Sequence, residues 1–276
     1  MTVGPGPLSP HNRRVTAARR LLKRGFRDAD RAFLAEGPQA VREALALLPR
    51  NPRAVREIFL TAQAEARHAD LVSVAVASGL PVHRVTEGVL AELAGTVTPQ
   101  GLVAVCPFLD VSLDVALGPR PSLVTVLAQV RDPGNAGTVL RASDAAGAGA
   151  VVLTAGSVDP YNGKCVRASA GSLFHLPVVT GVSVGDAIDQ LRAAGLRVLA
   201  ADGAGPRDLD ELDDAGELAG PTAWLFGNEA WGLPAEVGAL ADAVVRVPIH
   251  GRAESLNLAT AAAVCLYASA RAQRRV

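Results

Sequence analysis

Residues 122–141 read SLVTVLAQVRDPGNAGTVLR, and this stretch decides the fold. Leu123 to Ala128 is a short apolar run rich in β-branched residues, the pattern of a strand buried on both faces. Asp132-Pro-Gly-Asn135 breaks it, and Ala136 to Ala146 then has helical composition, with Asn135 able to cap the helix. The same alternation repeats downstream. Strands are expected at Ala150–Leu153, Arg197–Ala201, Ala223–Phe226 and Val244–Val247, and helices at Val184–Ala194, Ala235–Leu240 and Leu258–Ala270. Strands alternating with helices predict an α/β fold with a mostly parallel sheet covered by helices on both sides.

Upstream lies a smaller α/β pattern, from about His11 to Phe108. Strands are expected at Ala32–Ala35, Ile58–Leu60 and Leu102–Val105. Helices are expected from Gly37-Pro38 through Leu48, over Ala62–Ser78 and over Thr86–Leu93. The stretch from Leu109 to Pro121, with Gly118, Pro119 and Pro121, reads as a linker. The expected division is therefore 1–108, a linker at 109–121, and 122–276. Met1 to Pro10 lacks an apolar core and reads as a flexible lead-in rather than a signal peptide.

Composition narrows the classes. Of 276 residues 49% are hydrophobic and only 4% aromatic, so Ala, Val and Leu must fill the core. No apolar run approaches the ~20 residues of a membrane-spanning helix. Cys106, Cys165 and Cys265 stand alone, which argues against a disulfide framework or metal site and for a reducing cytoplasm. Net charge is zero, yet Arg13, Arg14, Arg19, Arg20, Lys23, Arg24, Arg27 and Arg31 crowd one short segment, opposed locally only by Asp28 and Asp30. A basic arm on a neutral chain predicts a positioned nucleic-acid contact, with Arg13, Arg14, Arg20 and Arg24 as candidates. An ordinary solvated helix face is the alternative.

Loops that follow parallel strands hold ligands. Here they are Asp132–Asn135, Asp202-Gly203, Gly227–Gly232 and Ile249–Ser255, four polar, glycine-bearing loops at one sheet edge. A dinucleotide fingerprint is absent. Gly147-Ala-Gly149 precedes a strand instead of following one and reads as a helix cap, while Gly203-Ala-Gly205 leads into Pro206 and an acidic run. There is no GxxxxGK[ST] string, so NAD and ATP are poor candidates.

Three strings remain: Asn135-Ala-Gly137-Thr-Val-Leu-Arg141, Gly227-Asn-Glu229-Ala-Trp-Gly232 and Ser255-Leu-Asn257-Leu-Ala259. In this order and spacing, NxGxxxR, GxExxG and SLNxA resemble the three motifs of the SpoU branch of the SPOUT RNA 2′-O-ribose methyltransferases, over roughly Ser122 to the C-terminus. Gln39 to Leu47 and Thr98-Pro-Gln-Gly101 resemble the L30e-like RNA-binding domain that many members carry. The whole looks more like the larger rRNA-modifying members, including thiostrepton- and avilamycin-resistance enzymes, than like the compact tRNA members.

The resemblance implies a C-terminal trefoil knot, a homodimer, no metal, and S-adenosylmethionine as cofactor. It implies methylation of a ribose 2′-hydroxyl in 23S rRNA, with a tRNA 2′-O-methyltransferase or a non-catalytic RNA-binding factor as alternatives. The cofactor-binding positions it implies are Ala200, Ala201, Asp202, Gly203, Phe226, Gly227, Asn228, Glu229, Pro248, Ile249, His250, Ser255, Leu256, Asn257 and Ala259. Arg141, Asn135, Glu229 and Asn257 are the implied catalytic set. Arg141 is expected to act as a cation, because an arginine is always protonated and makes a poor base. Arg167 is a further candidate for RNA phosphate.

Overall fold

A computed structural model describes residues 6–96 and 98–275, which divide into two compact units. The first comprises residues 6–109 together with 159–175; the second comprises 110–158 and 176–275. Among the described residues no helix is long and apolar enough to cross a membrane.

The first unit is built on four strands: β1 (Ala32–Glu36), β2 (Glu57–Leu60), β3 (Val82–Arg84) and β4 (Leu102–Pro107). Their order is β1-β4-β2-β3, antiparallel except between β2 and β3. The sequence pattern missed β3, three residues directly after Pro81. The helical run expected over 62–78 is two helices, Ala62–Arg67 and Ala69–Ala77, broken at His68. Residues 1–5 of the expected lead-in lie outside the described residues. Leu8 is not loose: its N–H donates to the Arg84 carbonyl at 2.8 Å and it packs on the core.

Residues 159–175 complete this unit. Tyr161 lies between Phe33 (ring centroids 4.8 Å apart) and Phe108 (3.9 Å), and Phe174 stacks on Phe33 at 6.0 Å. Arg27 and Asp159 form a buried ion pair, 4% and 8% exposed. The Arg27 Nε and Nη2 both donate to Asp159 Oδ2, at 2.9 and 2.6 Å, and Nη1 donates to the carbonyls of Leu21 and Leu22 at the end of the helix Arg13–Arg20.

The second unit has seven parallel strands: β5 (Leu123–Leu127), β6 (Ala150–Leu153), β7 (Val178–Thr180), β8 (Arg197–Ala201), β9 (Arg207–Asp208), β10 (Thr222–Phe226) and β11 (Ala243–Arg246). The order is β7-β6-β5-β10-β8-β11-β9. Residues 109–121 are more than a linker: they hold the helix Leu113–Leu117, whose Leu113, Ala116 and Leu117 join this unit's core. The sequence did not signal β7 and β9, of three and two residues. From β5 the chain steps outward through β6 and β7, then returns to the other side at β8. Such a switch point opens a crevice at the carboxyl ends of the strands. The register aligns Leu127, Ala201 and Phe226 along that edge.

Two buried side-chain bonds fix the helices that frame this edge. Thr125 and Ser143 share a hydrogen bond of 2.7 Å, tying the helix Pro133–Ala146 to β5. The Trp224 Nε1–H donates to Ser269 at 2.8 Å, tying the helix Leu258–Gln273 to β10. Gly147 is the left-handed C-cap of the first helix, and a Cβ on Gly149 would stand 2.4 Å from Pro121, so Gly147-Ala-Gly149 serves turn geometry.

Candidate functional site

A cavity of about 490 Å³ opens at the carboxyl edge of the second sheet, within the size range of small-ligand sites. Phe226, Val245, Val247, Ile249 and Leu256 give it an apolar wall. Its charged lining is Asp202, Glu229 and Glu254, and among the described residues no Arg, Lys or His lines it. Gly203 lines it too, and a Cβ there would meet nothing within 4 Å, so any side chain at 203 would take up cavity volume. The loop 227–232 folds back on itself through paired backbone bonds between Asn228 and Gly232, both 2.9 Å. A Cβ on Gly227 would stand 2.4 Å from the Gly232 carbonyl carbon, so only glycine allows this approach.

One polar chain crosses the mouth. The Asn257 Oδ1 accepts the N–H groups of Ala259 (2.9 Å) and Thr260 (3.4 Å), capping the C-terminal helix. Its Nδ2 donates to Asn135 Oδ1 at 3.1 Å, and the Asn135 Nδ2 donates to Glu229 Oε1, also at 3.1 Å. Glu229 further accepts the N–H groups of Arg131 and Asp132, at 3.3 Å each. The direction is forced from both ends, since backbone N–H groups only donate and a carboxylate only accepts. Both amides are thereby held in one orientation, each with hydrogen-bonding capacity left over.

The sequence assigned the cap of the helix Pro133–Ala146 to Asn135. The structure gives it to Asp132, whose carboxylate accepts the Asn135 N–H at 2.8 Å. The Asn135 side chain is thereby left for the chain with Glu229 and Asn257.

Of the expected cofactor residues, Ala201, Asp202, Gly203, Phe226, Gly227, Asn228, Glu229, Ile249, Ser255, Leu256 and Asn257 line the cavity. Ala200 is wholly buried in β8, Ala259 is buried in the first turn of the last helix, and Pro248 and His250 are outside the lining. Gly232, Glu254 and Leu258, which lie in the expected loops and motifs, also line it, and Val245, Val247 and Ala261 line it without having been expected. The two strand-end valines carry no local signal, because any buried strand ends the same way.

Arg141 stands apart. It is exposed, does not line the cavity, and makes no hydrogen bond or ion pair among the described residues. Six residues beyond Asn135 on one helix, it lies ~9 Å further along the axis and ~120° around it.

The candidate RNA residues all fall in the first unit. Arg14 pairs with Glu57 at 3.0 Å and Arg24 with Asp28 at 3.6 Å, while Arg19 pairs with Glu92 at 2.6 Å. The cluster is therefore opposed by Glu57 and Glu92, beyond the acidic residues visible locally. Arg20 lies 4.0 Å over the Phe26 ring, and Arg13 makes no such bond among the described residues. Arg167 donates to Glu36 at 3.0 Å, and its side chain stays 35% exposed. No group of three or more His, Cys, Asp or Glu among the described residues is placed to hold a metal ion.

Comparisons with known proteins match the chain along most of its length. Residues 122–267 match the SpoU rRNA Methylase family, and residues 12–104 match the MRM3-like substrate binding domain. A 23S rRNA (guanosine(2553)-2′-O)-methyltransferase of Bacillus subtilis is 32% identical over 259 residues, covering 94% of this chain and 96% of the relative. A 23S rRNA (guanosine-2′-O-)-methyltransferase of Bordetella pertussis is 30% identical, covering 82% and 93%. Among solved structures, an AdoMet-bound rRNA methyltransferase from Sinorhizobium meliloti superposes with a TM-score of 0.82 at 34% identity, covering 95% and 96%. A SpoU methyltransferase from Streptomyces viridochromogenes in complex with AdoMet gives 0.81 at 29% identity, covering 96% and 100%.

Proposed function

For a chain that belongs to the SpoU rRNA methylase family, we propose transfer of a methyl group from S-adenosylmethionine to a ribose 2′-hydroxyl of 23S rRNA. The observation that carries this reading is the cavity's charge. Three carboxylates and no lining cation favour a cationic ligand and disfavour a nucleotide phosphate. Bound S-adenosylmethionine supplies an electrophilic methyl group on a positively charged sulfur.

The residues of the chain do the rest. The apolar wall excludes water. The linked amides of Asn257 and Asn135 hold a fixed hydrogen-bonding frame for the ribose, and such alignment contributes ~7–11 kcal/mol to well-oriented reactions. Glu229 fixes that frame against the backbone at Arg131 and Asp132. Arg141 holds the neighbouring phosphate and favours the ionised hydroxyl, and no metal takes part. Arg141 is exposed and does not line its own chain's cavity, which supports a homodimer in which it serves the partner's site. The trefoil knot implied for this unit is part of the same proposal. Residues 6–109 with 159–175 capture RNA, with Arg13, Arg14, Arg20, Arg24 and Arg167 as phosphate ligands. The setting is the bacterial cytoplasm.

Mass spectrometry of 23S rRNA and tRNA from cells with and without the gene tests the substrate. Loss of one 2′-O-methyl mark from 23S rRNA is expected. Loss from tRNA selects the tRNA reading, and loss from neither leaves a non-catalytic RNA-binding factor. A resistance role, which the resemblance to the thiostrepton- and avilamycin-resistance enzymes implies, belongs to the same proposal. Raised tolerance to ribosome-targeting drugs in expressing cells would support it.

A further inference from the structure

Trp231 is half exposed, whereas the other tryptophan, Trp224, is wholly buried. An indole is costly to leave in water, and lone exposed tryptophans concentrate where a flat partner lands. Trp231 sits in the loop that carries Glu229, between two residues that line the cavity. The Arg131 guanidinium lies 5.1 Å from its ring centroid. That guanidinium makes no hydrogen bond or ion pair among the described residues, so its donors remain available. The pair is not loose. The Arg131 N–H is held by Glu229, and the Trp231 loop is closed by the two bonds between Asn228 and Gly232. Stacked cation and aromatic are therefore fixed to the same two loops that hold the Asn135–Glu229–Asn257 chain.

We propose that Trp231 and Arg131 form a stacking platform for the nucleobase of the nucleotide being methylated, Trp231 taking the base and Arg131 an adjacent phosphate. This inference rests on the reading of the cavity as a cofactor site and of RNA as substrate. A ribose hydroxyl that reaches the cavity mouth brings its base with it. That base must leave its neighbours in the RNA, and unstacked bases are held on aromatic rings and guanidinium planes. A platform of this kind accepts any base, because every base has a π face.

The test uses the full-length protein with 23S rRNA transcribed in vitro. Trp231→Ala is expected to raise the KM for rRNA by about 5- to 150-fold, the range found when base–aromatic stacking is removed. Affinity for S-adenosylhomocysteine, measured by calorimetry, should not change. Trp231→Phe should recover most of the loss. Adding rRNA should quench the exposed indole's fluorescence in the wild type, and Trp231→Phe, which keeps only Trp224, should lose that quenching. Arg131→Ala should lower the salt dependence of rRNA binding, whereas Trp231→Ala should leave the slope unchanged. If Trp231→Ala methylates rRNA with wild-type KM, the platform is refuted while the substrate reading stands. If Trp231→Ala instead shifts the oligomeric state, the indole is an interface residue and the inference also fails. If the wild type methylates no rRNA, the substrate reading itself is wrong.

Discussion

The buried Arg27–Asp159 pair makes a quantitative prediction. Every guanidinium nitrogen of Arg27 has an acceptor, and Asp159 Oδ1 takes the Tyr161 N–H at 2.8 Å. Asp159→Ala removes the one carboxylate that, among the described residues, pairs with a guanidinium that is 4% exposed. Leaving a buried charge without its partner costs ~3–5 kcal/mol. At ~3–5 °C per kcal/mol for a unit of this size, melting of the first unit should fall by roughly 9–25 °C. Removing both charges is a different perturbation. Arg27→Met with Asp159→Leu should come within ~1–2 kcal/mol of the wild type, because desolvation of the pair offsets most of its attraction. Differential scanning calorimetry with urea titration reads both variants. If Asp159→Ala melts within about a degree of the wild type, or the double variant is as damaged as the single one, the pair does not hold the unit together through its buried charges. A fragment ending at residue 109 should be poorly folded, since it lacks Asp159, Tyr161 and Phe174.

Other outcomes follow from the site. Glu229→Gln sets an amide nitrogen against the N–H of Arg131 or Asp132, whichever way it turns, and losing a charge-assisted bond of ~1.5–3 kcal/mol should lower turnover about 10- to 100-fold, read in a methyl-transfer assay. Gly227→Ala should abolish cofactor binding in calorimetry, because its Cβ would stand 2.4 Å from Gly232 backbone. Mixing Arg141→Ala with Asn257→Ala subunits should restore activity if the site is shared between two copies, and chelation by EDTA should change nothing. Arg13→Ala and Arg20→Ala should reduce the salt slope of RNA binding by ~0.7–0.9 each, and Arg14→Ala, already paired with Glu57, by less. Burial pushes the Cys265 thiol up to about 12 from its ordinary 9.0, so in the folded state it stays protonated while the unfolded chain ionises. Stability should therefore decline from about pH 9 toward about pH 12, and iodoacetamide at pH 8 should not label Cys265 before unfolding.

The sheet was legible because its long strands are continuous apolar runs and its helices begin at polar turns. β7 and β9 were not, since three or two residues carry no period. The motif residues Asn135, Glu229 and Asn257 could be picked out, but not how they connect. Asn135 and Asn257 meet across 122 positions, and the local rule for caps fitted Asn135 as well as Asp132. Proline at the first helical position belongs after a cap, which favours Asp132 and was the available signal. The arginine cluster misled in a similar way. Glu57 lies 43 positions from Arg14 and Glu92 lies 73 from Arg19, so no window of sequence shows their neutralisation. Arg27 looked like any member of that cluster, and only tertiary packing distinguishes it.

The excursion of residues 159–175 into the first unit bears on how the chain is made. An elongating chain that has just delivered residue 109 has all four strands of this unit, but Phe33 lacks its aromatic neighbours and Arg27 its counter-ion. The missing piece arrives 66 residues later. At ~5–20 residues per second that is an interval of about 3–13 s, long compared with the collapse of a chain this size. During it the nascent unit exposes an apolar face beside an uncompensated cation. Chaperone capture should peak there, and synonymous codons that slow translation between 110 and 175 should lower soluble yield without altering the finished protein.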